Sequence, residues 1–454
     1  MHRNRRYVKS GQIRLTGLLF PAVAAALALA TPARAEVVAQ VDTQAVLAVS
    51  RSFAPVVAYT DAGGLYVARR PRVDGWRSRR VAALPAGTTH VAGMVLDARG
   101  RPSIVVEDLL LGRLVLARLT TKGLWRSKVL VTAARGTALG HAGIVLDAAG
   151  RPAVAYAVRR TSGATYLRLT RLGADGRFRT QAVTLEGFPS SSTAPAAVPV
   201  LVGKTIHVVE AVGTTAIDWG PTKTTWEGQY LFASKFGTMV GAVAAVMVQG
   251  TLHAALTLDL PQFDESYVFS IVSRTTQDSA LVFTHALLAG LAVPPAGPEI
   301  AANDFVATEA GTVFAGLVAT PTVSVEVDGR IDGYAANSEG SRYLLLAHPT
   351  GLEFYAVPAL LPVTVRLEAA LSGPSVLLNG AVTGAQGGEI ELYHETSSQR
   401  TLAIRAPLRS DGSFSLTETP PPLGTHFRAV YRESTSGLPY ASLVRTPCCA
   451  SPQG

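Results

Sequence analysis

Two stretches of this chain copy one another 50 residues apart. Residues 93–130 begin GMVLDARGRP, and residues 143–183 begin GIVLDAAGRP. Gly93 matches Gly143, Asp97 matches Asp147, and Gly100-Arg101-Pro102 matches Gly150-Arg151-Pro152. A weaker copy precedes them, with Ala54–Tyr59, Gly64–Arg69 and Gly75-Trp76-Arg77. Trp76, Trp125 and Phe178 then hold equivalent places. A unit of this length cannot bury its own apolar face, so such copies must stack on one another.

Each unit reads as four short strands. The first is an apolar run ending at Asp97 or Asp147. Asp-x-x-Gly then makes a tight turn, because Gly adopts positive φ at little steric cost. The second strand follows the Pro, the third alternates apolar and polar residues, and the fourth begins at the aromatic. Four strands per unit of about 40–50 residues is the β-propeller pattern. On this reading the repeated Asp, Gly and Trp residues serve turns and packing, not chemistry. Fainter copies follow at Gly203–Val209, Gly250–Leu256 and Gly311–Leu317. The expectation is an all-β chain with a six-bladed propeller over residues 36–357. Val37–Val41 would join the last blade, and the faint late copies leave five and seven blades open.

From Leu361 the period changes. Strands are expected at 363–369, 375–382, 389–394, 402–407, 413–416, 426–432 and 440–444. Turn signals at Gly387-Gly388, Ser410-Asp411-Gly412 and Pro420–Gly424 separate them. About seven short strands in under 100 residues predict a small antiparallel β-sandwich, here over 358–446. Residues 447–454 read as a disordered tail. That tail holds the chain's two cysteines, Cys448 and Cys449, which are too close to bridge easily and are left open as free thiols or cross-links.

The repeats resemble those of exported bacterial β-propellers with sialidase-like or BNR-type repeats. The likeness rests on Leu96-Asp97-x-x-Gly100-Arg101-Pro102, its copy at 146–152, and the aromatic fourth strands. Gly388–Tyr393, Asp411–Ser415 and Gly424–Tyr431 resemble immunoglobulin-like or fibronectin-type modules. The resemblance implies fold alone. Sialidase boxes of the form Ser-x-Asp-x-Gly-x-Thr-Trp are absent, and the arginine triad, nucleophilic tyrosine and acid of that family have no matching positions.

Residues 1–35 read as a signal peptide: a basic start, an apolar run from Leu15 to Ala30, and Ala33-Arg34-Ala35 as the cleavage pattern. Cleavage near Ala35 would leave a secreted, periplasmic or cell-surface protein without a transmembrane segment. The export route is open, since Arg5-Arg6-Tyr7-Val8-Lys9 only resembles a twin-arginine signal. Whole-chain charge is +9, but the leader carries six basic residues and no acid, so the remainder is +3. That removes the main support for nucleic-acid binding. Thirty-five Arg against six Lys, with abundant Ala and Gly, suggests a GC-rich bacterial genome.

Charge is laid out unevenly. Residues 36–200 carry net +12, residues 201–357 net −9, and residues 358–454 net zero. The basic peak is Arg69, Arg70, Arg72, Arg77, Arg79 and Arg80. It reads either as a rim for an anionic glycan or surface polymer, or as a charged strand edge that resists aggregation. His90 and His141 precede the first strands of the second and third units, near one mouth of a central channel. His207 and His253 fall in second strands. Glu107-Asp108 and Asp264-Glu265 are the densest acidic pairs, but adjacent strand residues point to opposite faces, so neither is a ready glycosidase dyad. Glu326, Asp328 and Asp332 read as a polar hairpin rather than a calcium loop. No cofactor or metal is expected. The functional expectation is an exported, non-catalytic binding or scaffolding protein whose partner is a glycan, a surface polymer or another protein. The alternative is a glycan-active enzyme, a glycosidase or lyase, working at the channel mouth.

Overall fold

The computed structural model describes residues 36–442, apart from 41–44, 50–53, 62–63, 71–74, 83–88, 109–110, 141, 185–187, 190–196, 234–238, 249–250, 260–266, 276–281, 289–297, 302–303, 308–311, 316–322, 337–341, 349–350, 358–362, 386, 397–399, 421–425 and 435–437. The leader, Arg72, His141, Asp264-Glu265 and both cysteines lie outside them. Among the described residues there are strands and no helix.

The first strand, β1 (Glu36–Ala39), is set aside until the end of the repeats. The first sheet is β2 (Ala45–Val49), β3 (Pro55–Asp61), β4 (Gly64–Arg69) and β5 (Arg77–Ala82). The second is β6 (Thr89–Leu96), β7 (Pro102–Asp108), β8 (Arg113–Leu119) and β9 (Trp125–Thr132). In the third, β10 (Thr137–Leu139) and β11 (Gly143–Leu146) both pair with β12 (Pro152–Arg160). Then come β13 (Ala164–Leu172), β14 (Phe178–Ala182) and a short β15 (Phe188–Pro189) beside β13. The fourth is β16 (Ala197–Val202), β17 (Thr205–Val212), β18 (Thr215–Pro221) and β19 (Trp226–Ala233). The fifth is β20 (Met239–Val248), β21 (Thr251–Asp259), β22 (Tyr267–Thr275) and β23 (Val282–Leu288). The sixth has four-residue strands, β24 (Pro298–Ala301), β25 (Asp304–Ala307), β26 (Thr312–Ala315) and β27 (Val323–Glu326). The seventh takes β28 (Arg330–Ala336), β29 (Arg342–His348) and β30 (Gly351–Val357), and β1 completes it by pairing with β30.

All neighbours in these sheets are antiparallel, an arrangement consistent with a β-propeller. The glycine spacing located six units where seven sheets stand among the described residues. The sixth sheet's very short strands compress the period, so its copy and the next merged in the count. The first strands touch in a cycle, β2–β6–β11–β16–β20–β24–β28 and back to β2. They approach closely because small residues line the contacts. A Cβ on Gly143 would sit 2.6 Å from Pro199 Cδ, and one on Gly333 would sit 2.5 Å from Leu47 Cβ. Polar staples cross the same contacts. Thr60 donates to the Thr89 carbonyl (3.0 Å), the Ala142 amide to Glu107 (2.6 Å), and the Ala45 amide to Asp332 (3.0 Å).

The repeated Asp residues are turn staples. Asp97 accepts the amides of Arg99 and Arg101 and the Arg101 guanidinium, and Asp147 repeats this with Ala149 and Arg151. Gly100 and Gly150 take φ of +69° and +74° at those turns.

The C-terminal stretch forms two further antiparallel sheets. One is β31 (Thr364–Ser372), β32 (Ser375–Thr383) and β35 (Ser413–Glu418). The other runs β34 (Arg400–Pro407), β33 (Gly388–Glu395), β36 (His426–Glu433) and β37 (Pro439–Ala441). Their inner residues, among them Val376, Phe414, Leu392 and Phe427, join Ile331, Leu344, Leu346 and Tyr355 of the seventh sheet in one apolar core. Asp328, 3% exposed, receives both Arg400 nitrogens at 2.7 and 2.8 Å, and its amide donates to Pro439 O. Asp332 is held by Arg330 and Ala45, so two acids of the candidate calcium loop are committed elsewhere; the Glu326 side chain lies outside the described set.

This shared core predicts joint unfolding. All four tryptophans lie between 76 and 226, with Trp76 also packed on Phe354 of the seventh sheet, so their fluorescence reports the repeated sheets and not the C-terminal ones. Thermal transitions by fluorescence and by far-ultraviolet circular dichroism should coincide. Arg400→Met should lower both midpoints together, since it leaves buried Asp328 with Arg428 alone at 3.8 Å, and breaking a buried pair costs up to about 3–5 kcal/mol. Separate transitions would show that the C-terminal sheets fold independently.

Candidate functional site

Register places Arg69, Arg118 and Arg171 at matching points. Each stands near the end of a third strand, opposite the second residue of the preceding strand: Val56, Ser103 and Ala153. Each outer strand of the following sheet begins with, or next to, an aromatic: Trp125, Phe178 and Trp226. The apolar cores between sheets show which way the aromatics face. Trp125 packs into the core shared by sheets one and two, Phe178 into that of two and three, and Trp226 into that of three and four. Alternation along the strands turns the three arginines toward the same gaps.

The three gaps differ in what fills them. In the first, Arg69 Nη2 donates to Gly100 O in the neighbouring turn at 3.2 Å. In the second, Lys128 Nζ lies 4.9 Å from the Phe178 ring centre. In the third, Arg171 Nε is buried and has no hydrogen-bond partner, with its guanidinium carbon 6.0 Å from the Trp226 ring centre. A cleft of about 610 Å³ opens there, lined by Arg171, Gln181, Thr184, Trp219, Lys223 and Trp226 among others. Burial lowers the pKa of Arg171, against the field of Asp147.

Local sequence builds the far wall. Trp219 lies flat across β19 because its cross-strand neighbour is Gly228, where a Cβ would be 2.9 Å from the indole. The turn between β18 and β19 is held by Thr222 and Thr225, and it carries Lys223 and Thr224 to the cleft rim. Behind the wall, Trp219 Nε1 donates to Glu210 Oε2 at 2.9 Å. Glu210 is 1% exposed, and its other oxygen has no partner. Burial pushes its pKa up to about 7, with the indole bond pulling the other way.

The residues singled out from sequence are dispersed. Arg77, Arg79 and Arg80 are exposed on outer strand β5. Arg69 is tied to Gly100, and Arg70 forms an ion pair with Glu36 of β1. His90 is paired with Glu107 at 2.7 Å, so this channel-mouth candidate is held by its own sheet. Asp108 points the other way, to Arg113 at 2.8 Å, so the acidic pair does diverge. His207 lies against Asp218 at 3.0 Å, and burial lowers the pKa of His253. Among the described residues, no group of His, Cys, Asp and Glu is placed to hold a metal ion. Arg171, Trp219, Lys223 and Trp226 were not singled out. The signal for them was the recurrence of Arg at 69, 118 and 171, each ahead of an aromatic in the next unit.

No family model matches the chain, and no curated protein matches it significantly. Solved structures do align. AofleA from Arthrobotrys oligospora is 11% identical over 84% of this chain and 90% of its own, with a TM-score of 0.40. The SapL1 lectin in complex with alpha methyl fucoside is 11% identical over 72% and 94%, at 0.42. The Hadza microbial sialidase Hz136 is 10% identical over 70% and 65%, at 0.42.

The buried Glu210 carries a pH signature. Its folded pKa lies above the ordinary 4.5, so between about 4.5 and 7 the folded chain holds a proton that the unfolded chain lacks. Its stability contribution is full below that window and is lost as pH rises through 7, a span of about 3 kcal/mol. Urea midpoints at pH 5 and 8 should therefore differ more for the wild type than for Glu210→Gln. An equal pH dependence in both proteins would contradict the assignment.

Proposed function

We propose that this chain is an exported, non-catalytic glycan-binding protein. It would be a seven-bladed β-propeller closed by β1, followed by an immunoglobulin-like β-sandwich and freed by cleavage near Ala35. The observation that carries the binding role is the cleft between the third and fourth sheets. An aromatic face beside a guanidinium with an unused donor is what a sugar ring requires. Its C–H face packs on Trp226 while its hydroxyl or acidic oxygens take N–H donors of the Arg171 guanidinium. Gln181 and Lys223 add further polar groups at the rim.

The test uses the chain from residue 36, screened on a glycan array and followed by calorimetry on the best ligand. Arg171→Ala and Trp226→Ala should each weaken binding about tenfold or more; the thermal midpoint of Arg171→Ala should stay close to wild type, while Trp226→Ala should also lower it because the indole packs between sheets three and four. The bound glycan should be recovered intact after prolonged incubation. Absence of any glycan ligand, or variants that bind like wild type, would refute this reading. Release of shortened sugars would favour the enzymatic alternative.

A further inference from the structure

The occupant of the cleft can be specified further, and this step rests on the glycan-binding reading above. Arg171 and Lys223 line the cleft, and no described carboxylate does. The acid whose field acts on Arg171 is Asp147, which already holds Arg151 at 2.8 Å. A neutral sugar laid over this half-buried guanidinium would take water from it without supplying a counter-charge, and covering an uncompensated charge is expensive.

The cleft also opens onto a run of basic strands. Gln181 and Ala182 at its edge belong to β14, the outer strand of the third sheet, which exposes Arg179. Lys128 of β9 reaches Phe178 of β14, so these outer strands are adjacent, and β9 also exposes Arg126. Strand β5 contacts β9 in turn and exposes Arg77, Arg79 and Arg80. None of β5, β9 or β14 contains an acid; beside them, Asp175 from the turn before β14 pairs with Arg179. The basic run is bounded on both sides, by Glu36 of β1 and by Glu227 of β19.

We propose that the cleft and these three outer strands form one continuous site for an acidic polysaccharide. Arg171 and Lys223 hold the carboxylate or sulfate of one sugar unit, and the chain continues over β14, β9 and β5. Short acidic oligomers would need only the cleft, while long ones would also use the strands.

Calorimetry on the chain from residue 36 tests this with short and long oligogalacturonates, dextran sulfate and neutral dextran. Acidic ligands should bind and neutral dextran should not. The tighter of the two acidic polymers identifies the oxyanion. Raising NaCl to about 0.3 M should weaken the long polymer about tenfold. Arg171→Gln should weaken short and long acidic oligomers alike. Arg79→Ser with Arg80→Ser should weaken only the long ones. Arg366→Ser with Arg409→Ser, an equal charge loss on exposed residues of the C-terminal stretch, should change neither. Three results would each overturn the proposal. These are neutral dextran binding as tightly as polygalacturonate, Arg171→Gln binding short acidic oligomers normally, or the Arg366/Arg409 control weakening long polymer as much as the Arg79/Arg80 variant. If neutral glycans alone bind through Trp226, the acidic assignment fails while the glycan-binding reading stands. If no glycan binds at all, both fail.

Discussion

Everything in the repeated part depends on sheets that cannot stand alone. The second strands β3 and β7 are buried along nearly their whole length, which happens only when both faces of a sheet are covered. Each sheet therefore supplies the cover for two neighbours, and an uncovered terminal sheet would leave an apolar face in water. The chain avoids terminal sheets by bringing its first strand to its last repeat, where Glu36 and Val37 pair with Phe354 and Glu353. That pairing ties residues more than three hundred positions apart, so closure is a late, non-local event in folding. It also explains the close approach at Gly143 and Gly333. First strands must touch for the cycle to close, and a side chain at either position would hold neighbouring sheets apart.

The same stacking makes the candidate site. A gap between two sheets is apolar near the middle and widens outward, so each outer end is a cleft unless long side chains fill it. Arg69 fills one by bonding to a turn carbonyl, and Lys128 fills the next by lying on Phe178. The turn that would receive Arg171 has changed. In the second unit Asp97–Arg101 form a five-residue connection between Leu96 and Pro102, but in the fourth only Gly203 and Lys204 separate Val202 from Thr205. With the shorter turn, Arg171 makes no hydrogen bond through Nε, and Trp219 and Trp226 form the opposite wall. Repeat decay, which hides the later units from a sequence comparison, is thus what opens a site where the well-copied third unit meets the fourth.

Much of the architecture was legible because turn chemistry is local. Asp97 and Asp147 announce their turns through the Gly three residues on, and the seven C-terminal strands fall within a few residues of the Gly, Pro and Asp punctuation that bounds them. The additional seventh sheet was not legible, since strands of only four residues in the sixth blur the period. The cleft was not legible either. Arg171 and Trp226 are 55 positions apart, and their meeting depends on the order of sheets and on which face each strand turns inward. His90 drew attention as a lone histidine near a channel, yet Glu107, directly opposite in register, holds it in place.

Acids and bases are used differently across the molecule, and this shapes its surface more than net charge does. The described acids of the basic segment are largely occupied. Asp97 and Asp147 close turns, Glu107 joins two sheets, and Asp108 holds Arg113. Asp328 and Glu391 do the same further along the chain, the former against Arg400 and the latter against Arg405 and Arg432. Carboxylates suit such duty because a short side chain with two acceptors can satisfy several backbone amides at once. Arginines are longer and reach beyond the strand, and those on β5 and β9 are exposed at the outer wall. The charge a partner meets therefore depends on where the groups stand and not only on their sum: the acids sit at turns and between sheets, while outer strands β5, β9 and β14 carry exposed basic residues and no acid.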